Sequence, residues 1–370
     1  MDAERTAVAV RPVEELPGAD GFAQWLARTQ DSVREHVDAF VRARCAAELD
    51  PAGFALPGRL MVEFAAGGKC VRSVFVYLGW LAGGGGESEP ALRAAAGAEL
   101  LHAFALVQDD VMDQSPVRRG QPSAHLRLTN WHRDQGLSGS STRFGESAAI
   151  LLADLYLVWA ERMLRESGLP APALDRVWPR YDAMRSELAV GQLADLTNDA
   201  NRQPTVGTVL DIARRKSGNY TVRRPLELGA AMAGCDEHVL RVLGDYGDVI
   251  GEAFQLRDDL LGIFGDPAAT GKPAGDDIRE RKATTVLALA DQLATPPDRA
   301  RLRELWRADS IDEHGVALAQ SVITDSGARR RAEQMIDDRV EHARRLVADL
   351  EPSVGDALYR MALLCTQRAH

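Results

Sequence analysis

The sequence predicts an all-α protein, a single-domain bundle of roughly a dozen helices, and three observations carry that prediction. From Phe22 onward the apolar residues recur mostly three and four positions apart, the spacing that lines one face of a helix. Ala, Leu, Arg and Glu dominate these stretches and alternating β-branched runs are nearly absent, a bias toward helix and away from strand. The interruptions are loop-sized, and none has the length or composition of an interdomain linker.

Taken in order, residues 1 to 20 mix charge with Val, Ala, Pro and Gly without periodicity and read as a poorly ordered lead-in. Helical segments then follow one another between breaks at Gly83 to Gly86, Gly136 to Ser147, Pro170 and Pro172, Asn198 to Gly207, Gly265 to Gly275, and Pro296 and Pro297. The last helix is expected from about Ala328 to Leu350, where Arg, Glu and Asp at four-residue spacing read as a solvated face. The N-terminus has no basic stretch leading into an apolar one, and no apolar run reaches membrane-spanning length. The best candidate, Ala148 to Ala160, is short and contains Asp154.

Bulk properties narrow the functions. Hydrophobic residues at 45% and charged residues at 26% give the balance of a globular protein with a sizeable core. A net charge of -10 argues against a nucleic-acid partner, because phosphate binding needs a basic face. Cys45, Cys70, Cys235 and Cys365 show neither a CxxC pair nor a metal-ligand spacing, so a reducing cytoplasm is expected.

The chemistry is concentrated in two acidic helix ends. In LLHAFALVQDDVMD, Leu100 to Asp113, an apolar stripe runs into Asp109, Asp110 and, a turn later, Asp113. Positions four apart share a helix face, so Asp109 and Asp113 point together. Adjacent carboxylates repel by about 0.2–0.5 kcal/mol on an exposed helix and more when buried, unless cations neutralise them. A lone DDxxD in an acidic protein reads first as a solvated helix end. A second stripe, GEAFQLRDDLLGIFG over Gly251 to Gly265, ends in Asp258 and Asp259 and changes that reading. Two such helices facing each other form the walls of a magnesium site, and magnesium shares its ligands with phosphate oxygens. Cations flank both clusters: Lys69 and Arg72 after the Gly67, Gly68 pair, Arg118 and Arg119 before Gly120, and Lys272 followed by Asp276, Asp277 and Lys282. The Gly pair would let backbone approach a ligand at a helix start.

These pieces occur in the order GGKCVRS, HAFALVQDDVMD, RRGQPSAH, KSGNY, FQLRDD and GDPAATGKPAGDDIRERK. In that series the chain resembles the trans-type polyprenyl synthetases, which include farnesyl and geranylgeranyl diphosphate synthases, and it is most like the bacterial geranylgeranyl enzymes. The resemblance implies an isoprenoid synthase type I fold around a central substrate cavity, with residues 21 to 370 as the catalytic domain and a homodimer as the assembly. It implies three Mg²⁺ ions, two held by Asp109 and Asp113 and a third by Asp258, with Asp110 and Asp259 in the same clusters. Arg118, Lys216 and Lys272 would hold the allylic diphosphate (dimethylallyl, geranyl or farnesyl). Lys69, Arg72, His102 and Arg119 would hold isopentenyl diphosphate, and Lys282 is also expected to bind substrate. Ser217, Tyr220 and Gln255 would stabilise an allylic cation through their oxygens.

Two departures from the family pattern stand out. Gly262 occupies the place of a usual third aspartate, where Asp266 or Asp277 could support the third ion instead, and Cys70 occupies a place commonly held by arginine. Product length in the family is set by bulk upstream of the first motif. Phe104 with a small neighbour, Ala105, resembles the C20 pattern, with C15 as the alternative. A class I terpene cyclase would carry an Asn, Ser and Glu metal motif after the break near residue 200, and none is present. A non-catalytic partner subunit would have lost the aspartates.

Overall fold

The structure, a computed structural model, describes residues 19–199, 205–266 and 274–367. The predicted lead-in therefore lies almost wholly outside the described residues. Ten long elements build the site: α1 (Ala19–Arg44), α2 (Ala55–Ala65), α3 (Val71–Ala82), α4 (Glu89–Met112), α5 (Ala124–Asp134), α6 (Ser141–Arg165), α7 (Ala171–Asp199), α8 (Val206–Ala213), α9 (Arg224–Ala233) and α10 (Glu237–Phe264). A π-helical segment, Arg214–Arg223, joins α8 to α9. A two-stranded hairpin, β1 (Val117–Arg118) and β2 (Gln121–Pro122), lies between α4 and α5 and is the sheet among the described residues.

Local chemistry explains where the helices begin. Ser88, Ser140 and Asp236 accept from the backbone N–H three residues on, at the starts of α4, α6 and α10, which satisfies a donor that has no partner inside the helix. Ser140 also shortens the predicted break at Gly136 to Ser147, since α6 is already helical from Ser141. Gly145 sits inside α6 because a side chain there would strike Thr129 Oγ1 and the His125 carbonyl of α5. Pro172 falls in the first turn of α7, where a missing N–H costs nothing, and Pro179 is carried within that helix.

Two further expectations are corrected. The helix predicted over Ala328 to Leu350 ends at Leu346, and a final helix, Pro352–Thr366, follows it. Its charged stripe covers only the outer side: Ala332, Met335, Ile336 and Ala343 are buried. Among the described residues one helix is long and apolar enough to cross a membrane by length and composition, and it is α4 rather than the Ala148 to Ala160 stretch. Alternation of Ala and Leu on every side suits α4 to the centre of a bundle, and 61% of its apolar window is buried inside the fold.

The core falls into two apolar clusters. One gathers α1 to α7, α9 and the first half of α10, with Phe75, Tyr156, Trp159 and Tyr246 among its fully buried side chains. The other packs the end of α10 against the helices from Ile278 to Ile336. Backbones approach closely where small residues meet. A side chain on Gly229 would lie 1.8 Å from the Val76 carbonyl, and one on Gly79 would lie 2.1 Å from the Leu226 carbonyl, so α3 and α9 cross at glycine.

Candidate active site

A cavity of about 1090 Å³ runs between α3, α4, α6, α7, the π segment and α10, large enough for a ligand of drug size or more. Asp109 on α4 and Asp258 on α10 both line it, with Lys216, Ser217 and Tyr220 of the π segment, Lys69, Arg72 and His102 on another wall, and Phe104 and Ala105 below. Residues separated by as much as 189 positions, Lys69 and Asp258, are thereby brought to one space. Single-turn π bulges are common at functional sites. This longer one is held against α10 by a contact of two glycines: a side chain on Gly251 would lie 2.6 Å from the Gly218 Cα. The same contact fixes Ser217 and Tyr220 relative to Asp258.

The paired aspartates divide their work. Asp110 is fully buried and accepts from Arg118 Nε at 2.9 Å and from Nη2, while its Oδ2 has no partner. Asp259 is buried too, accepting from Gln255 Nε2 at 2.8 Å and the Thr285 N–H at 2.9 Å. Burial, with Asp277 and Asp258 nearby and against the Gln255 bond, pushes its carboxyl up to about 7. Asp110 and Asp259, both expected in the metal clusters, are paired with Arg118 and Gln255 and do not line the cavity, because neighbours on a helix point about 100° apart. Asp113 caps α4 and meets Lys282 Nζ at 3.5 Å, which also reaches Glu280 at 3.0 Å. Lys272 lies outside the described residues.

Charge is organised to need a cation. Burial raises the Asp109 carboxyl and Asp113 raises it further, while Lys216 draws it back. Burial alone would lower the Lys216 ammonium, yet Asp109 and Asp195 carry it above its usual value, and Nζ lies 2.5 Å from Asp195 Oδ2. Asp195 gave no local sequence signal, being 21 residues from its partner. The donor set fits a hard divalent ion: carboxylate oxygens on two opposed helix ends, with ammonium groups between them. Among the described residues no three acidic or imidazole groups already converge on one point. The gap at Gly262 is filled from elsewhere in the chain. A side chain there would lie 1.9 Å from Asp277 Oδ2, so the Asp277 carboxylate occupies the space of the missing aspartate.

The second cationic group is assembled differently from the expected helix start. Lys69 lies exposed in the turn before α3, and Cys70, with φ 48, makes the left-handed step into it. Gly67 and Gly68 leave room for the Arg119 guanidinium, since a side chain on Gly67 would lie 1.9 Å from Arg119 Nη1. Gly67 thus makes room for an arginine from the hairpin, while Gly68 lines the cavity. Arg72 lies 4.5 Å over the Tyr220 ring and donates to Thr221 Oγ1 at 2.9 Å, a cation–π contact that aims it. Burial, then Arg72, Arg119 and Arg118, hold the His102 imidazole well below its usual 6.5, so it is neutral and its Nδ1 is buried without a partner. Glu99, which the sequence reading missed, also lines the cavity, accepting from the Ser73 hydroxyl at 3.0 Å.

Comparison with known proteins agrees with this geometry. Residues 58–323 match the sequence model of the family described as Polyprenyl synthetase. The chain is 31% identical to a geranylfarnesyl diphosphate synthase of Aeropyrum pernix over 297 residues, 79% of this chain and 87% of the relative. It is 32% identical to a geranylgeranyl diphosphate synthase of Mycobacterium tuberculosis over 301 residues, 80% of this chain and 79% of the relative. Among solved structures, it superposes on a geranylgeranyl pyrophosphate synthase of Corynebacterium glutamicum, complexed with isoprenyl diphosphate and magnesium, with a TM-score of 0.87 and 37% identity over 93% of this chain and 99% of that one. With acidic helix ends facing each other over a long cavity and the family match spanning most of its length, the chain belongs to the polyprenyl synthetase family and is a prenyltransferase.

Proposed function

We propose that this chain condenses isopentenyl diphosphate head to tail with an allylic diphosphate (dimethylallyl, geranyl or farnesyl) and releases geranylgeranyl diphosphate, C20. The observation that carries the reading is the pairing of Asp109 and Asp258 across one cavity, beside two separate cationic groups. Two anionic substrates need two such groups. Residues 21 to 370 act as one catalytic unit, with a reducing cytoplasm as its proposed setting.

Asp109 and Asp113 on one side and Asp258 on the other would hold three Mg²⁺ ions, which would supply positive charge to a departing diphosphate. Lys216, Arg118 and Lys272 grip the same diphosphate, and Lys282 supports Asp113. Ser217, the Tyr220 hydroxyl and the Gln255 oxygen turn their negative ends toward the allylic cation left behind. The Tyr220 hydroxyl supports this role, being buried without a partner. Lys69, Arg72, Arg119 and neutral His102 seat the isopentenyl diphosphate so that its double bond meets that cation. The proton then lost passes to the released diphosphate, so no side-chain nucleophile is consumed. Phe104, with Ala105 beside it, meets the growing tail.

A homodimer accounts for the surface. Ile150, Leu151 and Val158 of α6 are exposed large apolar residues on one helix, Leu151 by 64% and Val158 by 60%, and a second copy of the chain is the proposed cover.

The decisive experiment offers the purified chain both C5 substrates and each longer allylic starter, with and without Mg²⁺, and identifies the product by mass spectrometry. A Mg²⁺-dependent C20 product is expected. Product formed equally well in a chelator removes the metal assignment, and a C15 end product selects the farnesyl alternative.

A further inference from the structure

Resting on the reading above and deepening it, we propose that Arg185, bridged to Glu161, is a specificity-determining residue that narrows the product channel at the level of Phe104. The cavity changes character along its length. At the diphosphate end α7 contributes Gln192, whose Nε2 lies 3.7 Å from Met112 Sδ, and Asp195 beside Lys216. Arg185 and Asp182 come seven and ten residues before Gln192, roughly 10 and 15 Å lower along the helix. Leu101 and Phe104 of α4 and Leu157 of α6 give that lower part an apolar wall, yet Asp154, Asp182 and Arg185 line it too. Charged side chains at the tail end of a channel for hydrocarbon call for a reason.

The contacts supply one. Arg185 Nη1 donates to Glu161 Oε2 at 3.1 Å, tying α7 to α6, and Nη2 donates to Asp182. The guanidinium also lies 4.5 Å over the Tyr181 ring. Held by Glu161, Asp182 and the Tyr181 ring, the planar group forms a bar between the two helices. A prenyl tail gains by leaving water for apolar wall, and that gain ends at the bar. To pass it, the tail must strip water from a guanidinium and its carboxylates, or break the tie between α6 and α7. Phe104 and Arg185 are therefore two stops at one level of the channel, on α4 and α7, the first steric and the second electrostatic.

The test compares the full-length protein with Phe104→Ala, Arg185→Met and the double variant, each given Mg²⁺, isopentenyl diphosphate and farnesyl diphosphate. Chain lengths are read by mass spectrometry after dephosphorylation. Phe104→Ala should lengthen the main product by one C5 unit, and the double variant by at least one unit more. A double variant whose product distribution equals that of Phe104→Ala overturns the proposal. If circular dichroism shows that Arg185→Met fails to fold, Glu161→Gln combined with Phe104→Ala is judged by the same criterion. Wild-type protein that forms no prenyl product sinks the functional reading itself, whereas normal wild-type product with unchanged lengths in the double variant sinks only the bar.

Discussion

Asp109 and Asp110 are neighbours in sequence with opposite duties. One faces the cavity, and the other is fully buried against Arg118. A group that acts on the transition state should be separable from one that holds the wall. Asp109→Asn is expected to lower kcat by about 10²- to 10³-fold, the scale for losing one preorganised electrostatic element, with helicity by circular dichroism unchanged. Turnover close to wild type would remove Asp109 from the metal set. His102 offers a test that does not involve turnover. Its folded value lies well below the usual 6.5, so the unfolded chain takes up protons that the folded one refuses as pH falls through that value. Stability present above about pH 6.5 is then lost on acidification. Melting temperatures recorded from about pH 7.5 to pH 5 should fall less steeply in His102→Gln than in wild type. Parallel curves would mean that the imidazole is not held neutral by its surroundings.

At the scale of elements, the site depends on helices that cross at glycine. The α3 and α9 crossing places a Gly229 side chain 1.8 Å from the Val76 carbonyl, too close for a methyl without moving backbone. Gly229→Ala should cost about 2–3 kcal/mol, at the upper part of the range for overpacking, seen as a lower urea midpoint at unchanged m. A variant as stable as wild type would show that the crossing yields easily. The Ser140 cap that starts α6 acts locally yet falls inside the break predicted from Gly136 to Ser147, and the π segment was not legible at all. It packs on α10 through the Gly218 and Gly251 contact, which no window of neighbouring residues contains. The final helix, Pro352–Thr366, was lost to the charge pattern ahead of it.

For the whole molecule, the exposed apolar stripe on α6 sets the expected assembly. Leu151→Asp combined with Val158→Asp should convert a dimer to a monomer in light scattering, because charge placed at an apolar interface must be buried unpaired. A wild-type protein that runs as a monomer, or a variant that remains dimeric, would place the contact elsewhere. The burial of α4 belongs to this scale too. The same 24 residues satisfy the length and composition of a membrane span, and only the surrounding helices make α4 the middle of a bundle.

Local periodicity determined much of this protein by itself: the all-α class, two apolar stripes ending in paired aspartates, cations flanking both, and Phe104 one turn below the first pair. These features repeat within a few turns, so a reader of the chain meets all their parts together. Tertiary structure alone decided which aspartate of each pair faces the cavity, that Gly67 makes room for Arg119, that Asp277 fills the space at Gly262, and that Asp195 and Lys216 are partners. Those outcomes depend on how helices distant in sequence cross, and the crossing is set by packing the whole core at once.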